Sequence, residues 1–182
     1  MKRILLSAII AMASVGAVFA QKGESAVGIN VGVAPCMESG ASLTNVGVGV
    51  KYQYNFTNAL RGEADFDYAF KSKGISMWDL SANVHYLFNV TEKFKIYPLV
   101  GVGYANLKGE WSVDFDDDDL GFEPYSDDEI SGSDTTSKLL VNVGVGAEYA
   151  ISSRVSIGVE AKYQYIKDFS RLPISVGVTY KF

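Results

Sequence analysis

The chain has one cysteine, Cys36, and one histidine, His85. A single cysteine excludes an internal disulfide, so no covalent staple holds the fold, and no lipoprotein-type cysteine follows the leader. Cys36 reads as a spectator loop residue in preference to a reactive thiol or an intermolecular bridge. A single histidine leaves any histidine-based catalytic proposal resting on His85 alone. Beyond the first 20 residues no apolar run approaches the roughly 18–20 residues that a membrane-crossing helix needs. Helical apolar spacing is missing there too. Basic residues are absent from one long window, Glu110 to Asp134, which holds eleven carboxylates.

At 182 residues the sequence is long enough for one domain and a leader. Residues 1–20 read as a cleavable signal peptide: Lys2 and Arg3, an apolar run from Ile4 to Val18, then Val18-Phe19-Ala20 before Gln21. Cleavage is expected between Ala20 and Gln21, and the alternative of a retained anchor suffers from the short apolar run. The mature domain, residues 21–182, has fourteen basic and twenty-one acidic residues. Outside the acidic window the balance is fourteen to ten, so overall acidity belongs to one loop, about residues 109–137. Nothing in this distribution points to nucleic acid.

Strict alternation runs through the mature chain. Eight segments carry it, near 26–34, 44–56, 60–71, 77–88, 94–108, 138–151, 154–166 and 172–182. In the last of them Leu172, Ile174, Val176, Val178, Tyr180 and Phe182 fall on one parity, and Pro173, Ser175, Gly177, Thr179 and Lys181 on the other. Successive strand side chains point to opposite faces, so each segment has one apolar and one small or polar face. Connections after the second, fourth and sixth segments are tight; the others are longer or more polar. The expected fold is all-β, an eight-stranded antiparallel up-and-down transmembrane barrel with turns at one rim and loops at the other.

Parity alone leaves a soluble, ligand-carrying barrel as the competitor, with its apolar residues turned inward. Three features favour lipid outside. Ten glycines, including Gly28, Gly49, Gly144, Gly146 and Gly177, fall on the polar parity, where a narrow curved interior wants them and a soluble outer surface does not. Aromatics of the apolar parity gather at both ends of the strands, as bilayer interfaces select. Strands of about nine to eleven tilted residues match the hydrocarbon thickness, and closure satisfies every backbone group.

The leader, the eight amphipathic strands, the stretch Tyr97-Pro-Leu-Val-Gly-Val-Gly-Tyr-Ala105 and the ending Ile174-x-Val176-x-Val178-x-Tyr180-x-Phe182 resemble the small outer-membrane β-barrel family of diderm bacteria. OmpX-like proteins, the OmpA transmembrane domain and Opa adhesins belong to that group. The resemblance implies a bacterial outer-membrane location and contact with outer-membrane lipid and lipopolysaccharide. It also implies that Ile174, Val176, Val178, Tyr180 and Phe182 form the signal read by the barrel-assembly machinery. Host or surface ligands would meet the extracellular loops. Because the sequence stops at Phe182, the peptidoglycan-binding domain of full-length OmpA proteins is not expected.

The inward parity carries Lys51, Arg61, Glu63, Asp65, Asp67, Asp79, His85, Glu148, Glu160 and Lys162. Eight strands enclose a space that side chains just fill, so a salt-bridged plug is preferred over a gated ion path. A second hairpin turning at Thr57-Asn58 sets Lys51 opposite Asp65 and diagonal to Glu63. Parity puts His85 inside and near the turn rim, whereas the lipid-acting barrel enzymes keep theirs near the outer rim, so no catalytic residue is assigned. The run from Asp114 to Asp119 begins like a calcium loop, with Asp114, Asp116 and Asp118 as candidate ligands. It then lacks the glycine at the sixth position and an acid at the twelfth, and a solvated, self-repelling loop is preferred. Gly144-Val-Gly146 has no following helix and is strand pattern, not a phosphate cradle. Asn55-Phe-Thr57 and Asn89-Val-Thr91 match a glycosylation sequon but read as turns. No cofactor is expected. The functional reading is a non-enzymatic barrel acting in adhesion, envelope integrity or shielding; a narrow channel comes second and a lipid-acting enzyme third.

Overall fold

Residues 22–37, 44–113, 130–167 and 170–182 are described by a computed structural model. The expected leader with Ala20 and Gln21 lies outside the described residues, as do Asp114, Asp116 and Asp118. Eight antiparallel strands follow in order: β1 (Ser25–Pro35), β2 (Thr44–Asn55), β3 (Leu60–Ser72), β4 (Ile75–Tyr86), β5 (Phe94–Val113), β6 (Ile130–Ala150), β7 (Val155–Ile166) and β8 (Ile174–Lys181). A two-residue piece, Phe88–Asn89, continues β4 along the same partner strand. Each strand pairs with its sequence neighbours, and β1 pairs with β8, closing the sheet into a barrel. Closure leaves no open edge, the condition for strands to cross hydrocarbon.

The two faces divide by parity. Outward side chains are aliphatic in the middle of the strands, where Val143 is 55% exposed, while Leu139 nearer the loop end is 79% exposed. Inward ones are polar or small, with Asn142 and His85 at 0%. This inverts a soluble protein's arrangement, and only an apolar surrounding makes it favourable. Aromatic side chains flank the aliphatic band. Phe66 lies 6.0 Å from Trp78 and Trp78 lies 6.1 Å from Tyr104 toward the loop rim, and Tyr54–Phe56 and Tyr86–Phe88 lie toward the turn rim.

The three turns at one rim share a device. Thr57 Oγ1 accepts from the amides of Ala59 and Leu60, Thr91 Oγ1 from Lys93 and Phe94, and Ser152 Oγ from Arg154 and Val155. A short hydroxyl side chain thus satisfies the two amides each turn would otherwise strand. The threonines of both apparent sequons are these turn-holding residues.

Two connections differ from the sequence reading. The third is not a longer loop but a two-residue turn, Lys73-Gly74, with Ser72 paired to Ile75. Lys73 and Gly74 have φ of 47° and 81°, the geometry that matches the twist of a tight hairpin. The fifth connection is a ladder beyond the expected strand ends, running to Val113↔Ile130. Apolar alternation marks where lipid is met, whereas backbone pairing continues past that boundary.

The lining is uneven. The seam strands offer mainly small residues, Ala26, Gly28, Asn30, Gly32 and Ala34 from β1 and Ser175, Gly177, Thr179 and the longer Lys181 from β8, whereas β3 to β5 supply arginine, histidine, tyrosine, aspartate and glutamate. Gly146 shows why the small residues are needed. A Cβ there would overlap the ring of Tyr97.

Candidate functional site

The interior is one hydrogen-bonded network arranged in layers. Nearest the loop rim an apolar layer of Ala69, Met77, Ala105, Leu140 and Ile166 fills the barrel, with Leu107 packed on it. Beneath, Arg171 joins Asp79 Oδ2 at 2.5 Å and donates to Gln164, which in turn donates to Asp79 Oδ1 at 3.3 Å. In the middle Lys162 meets Asp65 at 2.7 Å, Glu160 at 3.4 Å and Asp67 at 3.6 Å. Asp65 also accepts from Ser81 Oγ and from Asn83 Nδ2, and Asn142 Nδ2 donates to Ser81 and to Asn83.

Toward the turns, Lys51 lies 3.5 Å from Glu63 and 3.9 Å from Glu160, while Gln53 donates to Glu63 at 2.7 Å. Tyr97 donates to Glu160 at 3.1 Å, and its ring is stacked on His85 at 4.7 Å with the Arg61 guanidinium over it. Arg61 pairs with Glu148 at 2.7 Å, and Lys181 reaches the same carboxylate at 3.4 Å. Leu87, Tyr97 and Leu99 form the apolar patch of this end.

The inward charges balance. Lys51, Arg61, Lys95, Lys162, Arg171 and Lys181 face Glu63, Asp65, Asp67, Asp79, Glu148 and Glu160. Burying charge is tolerable where each ion has a counter-ion and hydrogen bonds, and this set meets that condition almost throughout. Among the described residues the lining leaves a cavity of about 40 Å³ bordered by Asn30, Asp67, Lys162, Arg171 and Ser175, and one of about 10 Å³ beside Lys51, Gln53 and Glu148. The first holds a water molecule or so; the second is at the limit.

Lys51 stands opposite Asp65 in register and pairs with its diagonal neighbour Glu63 and with Glu160, while Asp65 pairs with Lys162 across the barrel. A long lysine can reach over a narrow interior, which Lys162 does. Arg171, Gln164, Asn142, Tyr97, Lys95 and Lys181 belong to the network without having been singled out in the sequence. Arg171 lies beyond the strand pattern, held by isolated bridges to Cys36 and Gln164. Extending the parity of Ser175 and Pro173 one step would have found it. Tyr97 had the right parity, but an aromatic inside a polar barrel runs against residue type.

Glu63, His85 and Glu160 place one donor atom each within 4.8 Å of one another, a spacing that a divalent ion uses. The chemistry argues against it. Arg61 Nε donates to His85 Nδ1 at 3.2 Å, so in the neutral ring the proton sits on Nε2, which faces Glu63 at 3.5 Å. The lone pair a metal needs is occupied, and Lys51 and Lys162 already supply the positive charge. A divalent ion does not fit this set.

Solved structures share the fold. Ail, the attachment invasion locus protein of Yersinia pestis, is 20% identical, with 89% of this chain and 100% of that chain covered and a TM-score of 0.62. Neisserial surface protein A gives 18% identity, 88% and 100% coverage and a TM-score of 0.68. The N-terminal barrel domain of Pseudomonas aeruginosa OprF gives 15%, 88% and 100%, and 0.58. No curated protein matches the chain. The family model described as "Outer membrane protein beta-barrel domain" matches residues 4–182, and with a closed barrel turned apolar side outward this chain belongs to that family and to the bacterial outer membrane.

Proposed function

We propose that the barrel is a sealed, non-enzymatic scaffold whose work is done at the cell surface, in adhesion, envelope integrity or shielding. The observation that carries this reading is the filled interior of the described residues: buried charges held in a network of ion pairs and hydrogen bonds, an apolar layer at the loop end, and cavities of about 40 and 10 Å³. A conducting barrel needs a continuous wet path, and apolar constrictions oppose one. An enzyme acting on lipid would need His85 at the outer rim. Its ring is instead stacked between buried partners, with Nδ1 engaged by Arg61.

The printed name of the Yersinia relative speaks of attachment and invasion, and one of its structures holds the heparin analogue sucrose octasulfate; both fit a surface role. Ile174, Val176, Val178, Tyr180 and Phe182 all face outward, where the assembly machinery would read them. Host or surface ligands would engage the extracellular loops, and the wall would engage lipid and lipopolysaccharide. Planar-bilayer recording tests the sealed state: the refolded protein gives no conductance steps, and steady steps would overturn the reading in favour of a channel. Deleting Trp111–Thr135 tests the surface role, with loss of surface binding or serum survival expected. A deletion that leaves every surface phenotype intact would reduce the role to envelope integrity alone.

A further inference from the structure

Lys95 is the exception in the charge balance of the interior. Through the middle and the loop half, Lys51, Lys162 and Arg171 face five carboxylates, Glu63, Asp65, Asp67, Asp79 and Glu160. At the turn end the count reverses, because Arg61, Lys95 and Lys181 gather around Glu148. Its Oε2 takes Arg61 at 2.7 Å and its Oε1 takes Lys181 at 3.4 Å. Lys95 stands directly in register with Glu148, yet it makes no ion pair and no side-chain hydrogen bond among the described residues. The other acid in its field, Glu24, is partly exposed and accepts from Asn55 Nδ2 at 3.3 Å. Lys95 is only 5% exposed, and a cation so far out of water without a counter-ion is costly.

A second group in the same place is also unsatisfied. Asn89 is in register with Lys95 on its other side, so Asn89, Lys95 and Glu148 form one inward row. Directly opposed residues share a face, with Cβ atoms about 5 Å apart. Asn89 Nδ2 and Oδ1 are both shielded from solvent, and neither has a hydrogen-bond partner among the described residues. Ser156 Oγ is in the same condition. It stands beside Ala150, the next inward residue of β6 after Glu148.

The surplus at this end is one positive charge, so the complement is an anion. Lys95 offers donors only, whereas the Asn89 amide offers a donor and an acceptor whichever way it is turned. A halide or a carboxylate would use the donors and leave Asn89 Oδ1 without a partner. An oxyanion that keeps a proton uses all three groups, and phosphate near neutral pH carries at least one O–H.

We propose that the turn mouth of the barrel is a binding site for a small protonated oxyanion, phosphate being the case that fits. Its charged oxygens lie on Lys95 Nζ and Asn89 Nδ2, and its O–H donates to Asn89 Oδ1. Arg61 and Lys181 favour the anion through their field while staying on Glu148. Short turns of such barrels face the periplasm, so the anion enters from that side. The site goes beyond the scaffold reading and does not depend on it, since a conducting barrel holds it equally well.

The test unfolds the refolded chain with urea in uncharged detergent, with phosphate replacing chloride at fixed ionic strength. A bound anion raises the midpoint along a saturating curve, whereas general exclusion of phosphate from the surface raises it without saturation. The saturating rise is expected in the parent and in Lys22→Gln, an exposed lysine of the same rim, and is expected to vanish in Lys95→Met. Asn89→Ala should shift it to roughly tenfold higher phosphate, the effect of one hydrogen bond to a charged group. In chloride alone Lys95→Met should match or exceed the parent midpoint, because it removes a cation that no described residue pairs. Phosphorus NMR line broadening with the parent and Asn89→Ala measures the same affinity without touching Lys95. Phosphate and chloride acting alike would overturn the site and leave water as the partner of Asn89. Equal broadening by the parent and Asn89→Ala would overturn it too. So would a Lys95→Met midpoint well below the parent's in chloride, since Lys95 would then be held by Glu148 within the chain.

Discussion

Lys162 is the most demanding part of the interior to remove. It is 3% exposed and has Asp65, Glu160 and Asp67 within 2.7, 3.4 and 3.6 Å. Lys162→Met keeps most of the side-chain volume, so cavity formation contributes little and the loss is electrostatic. Three carboxylates are then left around a site without its cation, and breaking a buried pair from one side costs about 3–5 kcal/mol. Urea titration of the folded fraction in lipid vesicles, read by the mobility difference between unboiled and boiled protein, should show a loss in that range. Pairing the change with Asp65→Asn removes one stranded charge and should recover at least about 1 kcal/mol, a coupling that a double-mutant cycle isolates. A loss below about 1 kcal/mol for the single variant would mean that water or ions reach Lys162. The plug would then be an open, hydrated lumen, and the sealed-scaffold reading would fall with it.

Other substitutions probe the remaining layers. Gly146→Ala drives a methyl group into the Tyr97 ring and should cost about 1–3 kcal/mol, with Tyr97→Leu relieving most of it in the same unfolding assay. Leu140→Ala, at 1% exposure in the apolar layer, should cost about 2–4 kcal/mol. Val143→Arg puts a charge on the lipid face near mid-strand and should cost about 2–4 kcal/mol. Nitroxides at Val176 and Ser175 should report an oxygen-rich, apolar setting and a crowded, oxygen-poor one respectively, and the reverse would invert the barrel.

What was legible in the sequence was whatever parity controls. A period of two fixes both faces of every strand at once, so strand order, the outward valines and the inward acids and glycines could be read without coordinates. Partner choice was legible only between adjacent strands, as in the diagonal Lys51–Glu63 pair; pairs such as Lys162–Asp65 depend on distance across the barrel and were not. Turn conformation escaped for a different reason. Ser72-Lys73-Gly74 has one strong turn residue, and only the pairing of Ser72 with Ile75 shows how short the connection is. Arg171 escaped because alternation is visible only where an apolar partner residue marks the opposite face, and beyond Leu172 there is none.

The bare lining of β1 and β8 bears on how the cylinder comes to exist at all. When the first and last strands meet, they bring mostly glycine, alanine, serine and threonine to the inside, with Asn30 and the rim residue Lys181 as the larger exceptions, so the bulky cluster can already be set on the arc opposite and little has to be threaded past it. Closing the seam is left to main-chain pairing. Enlarging Gly28 or Gly177, where a new methyl would meet Val178 O at 3.0 Å or Ile29 O at 2.7 Å, should therefore slow the final zipping in time-resolved refolding more than equal bulk added at Gly158, whose nearest such neighbour is Ala147 O at 3.1 Å.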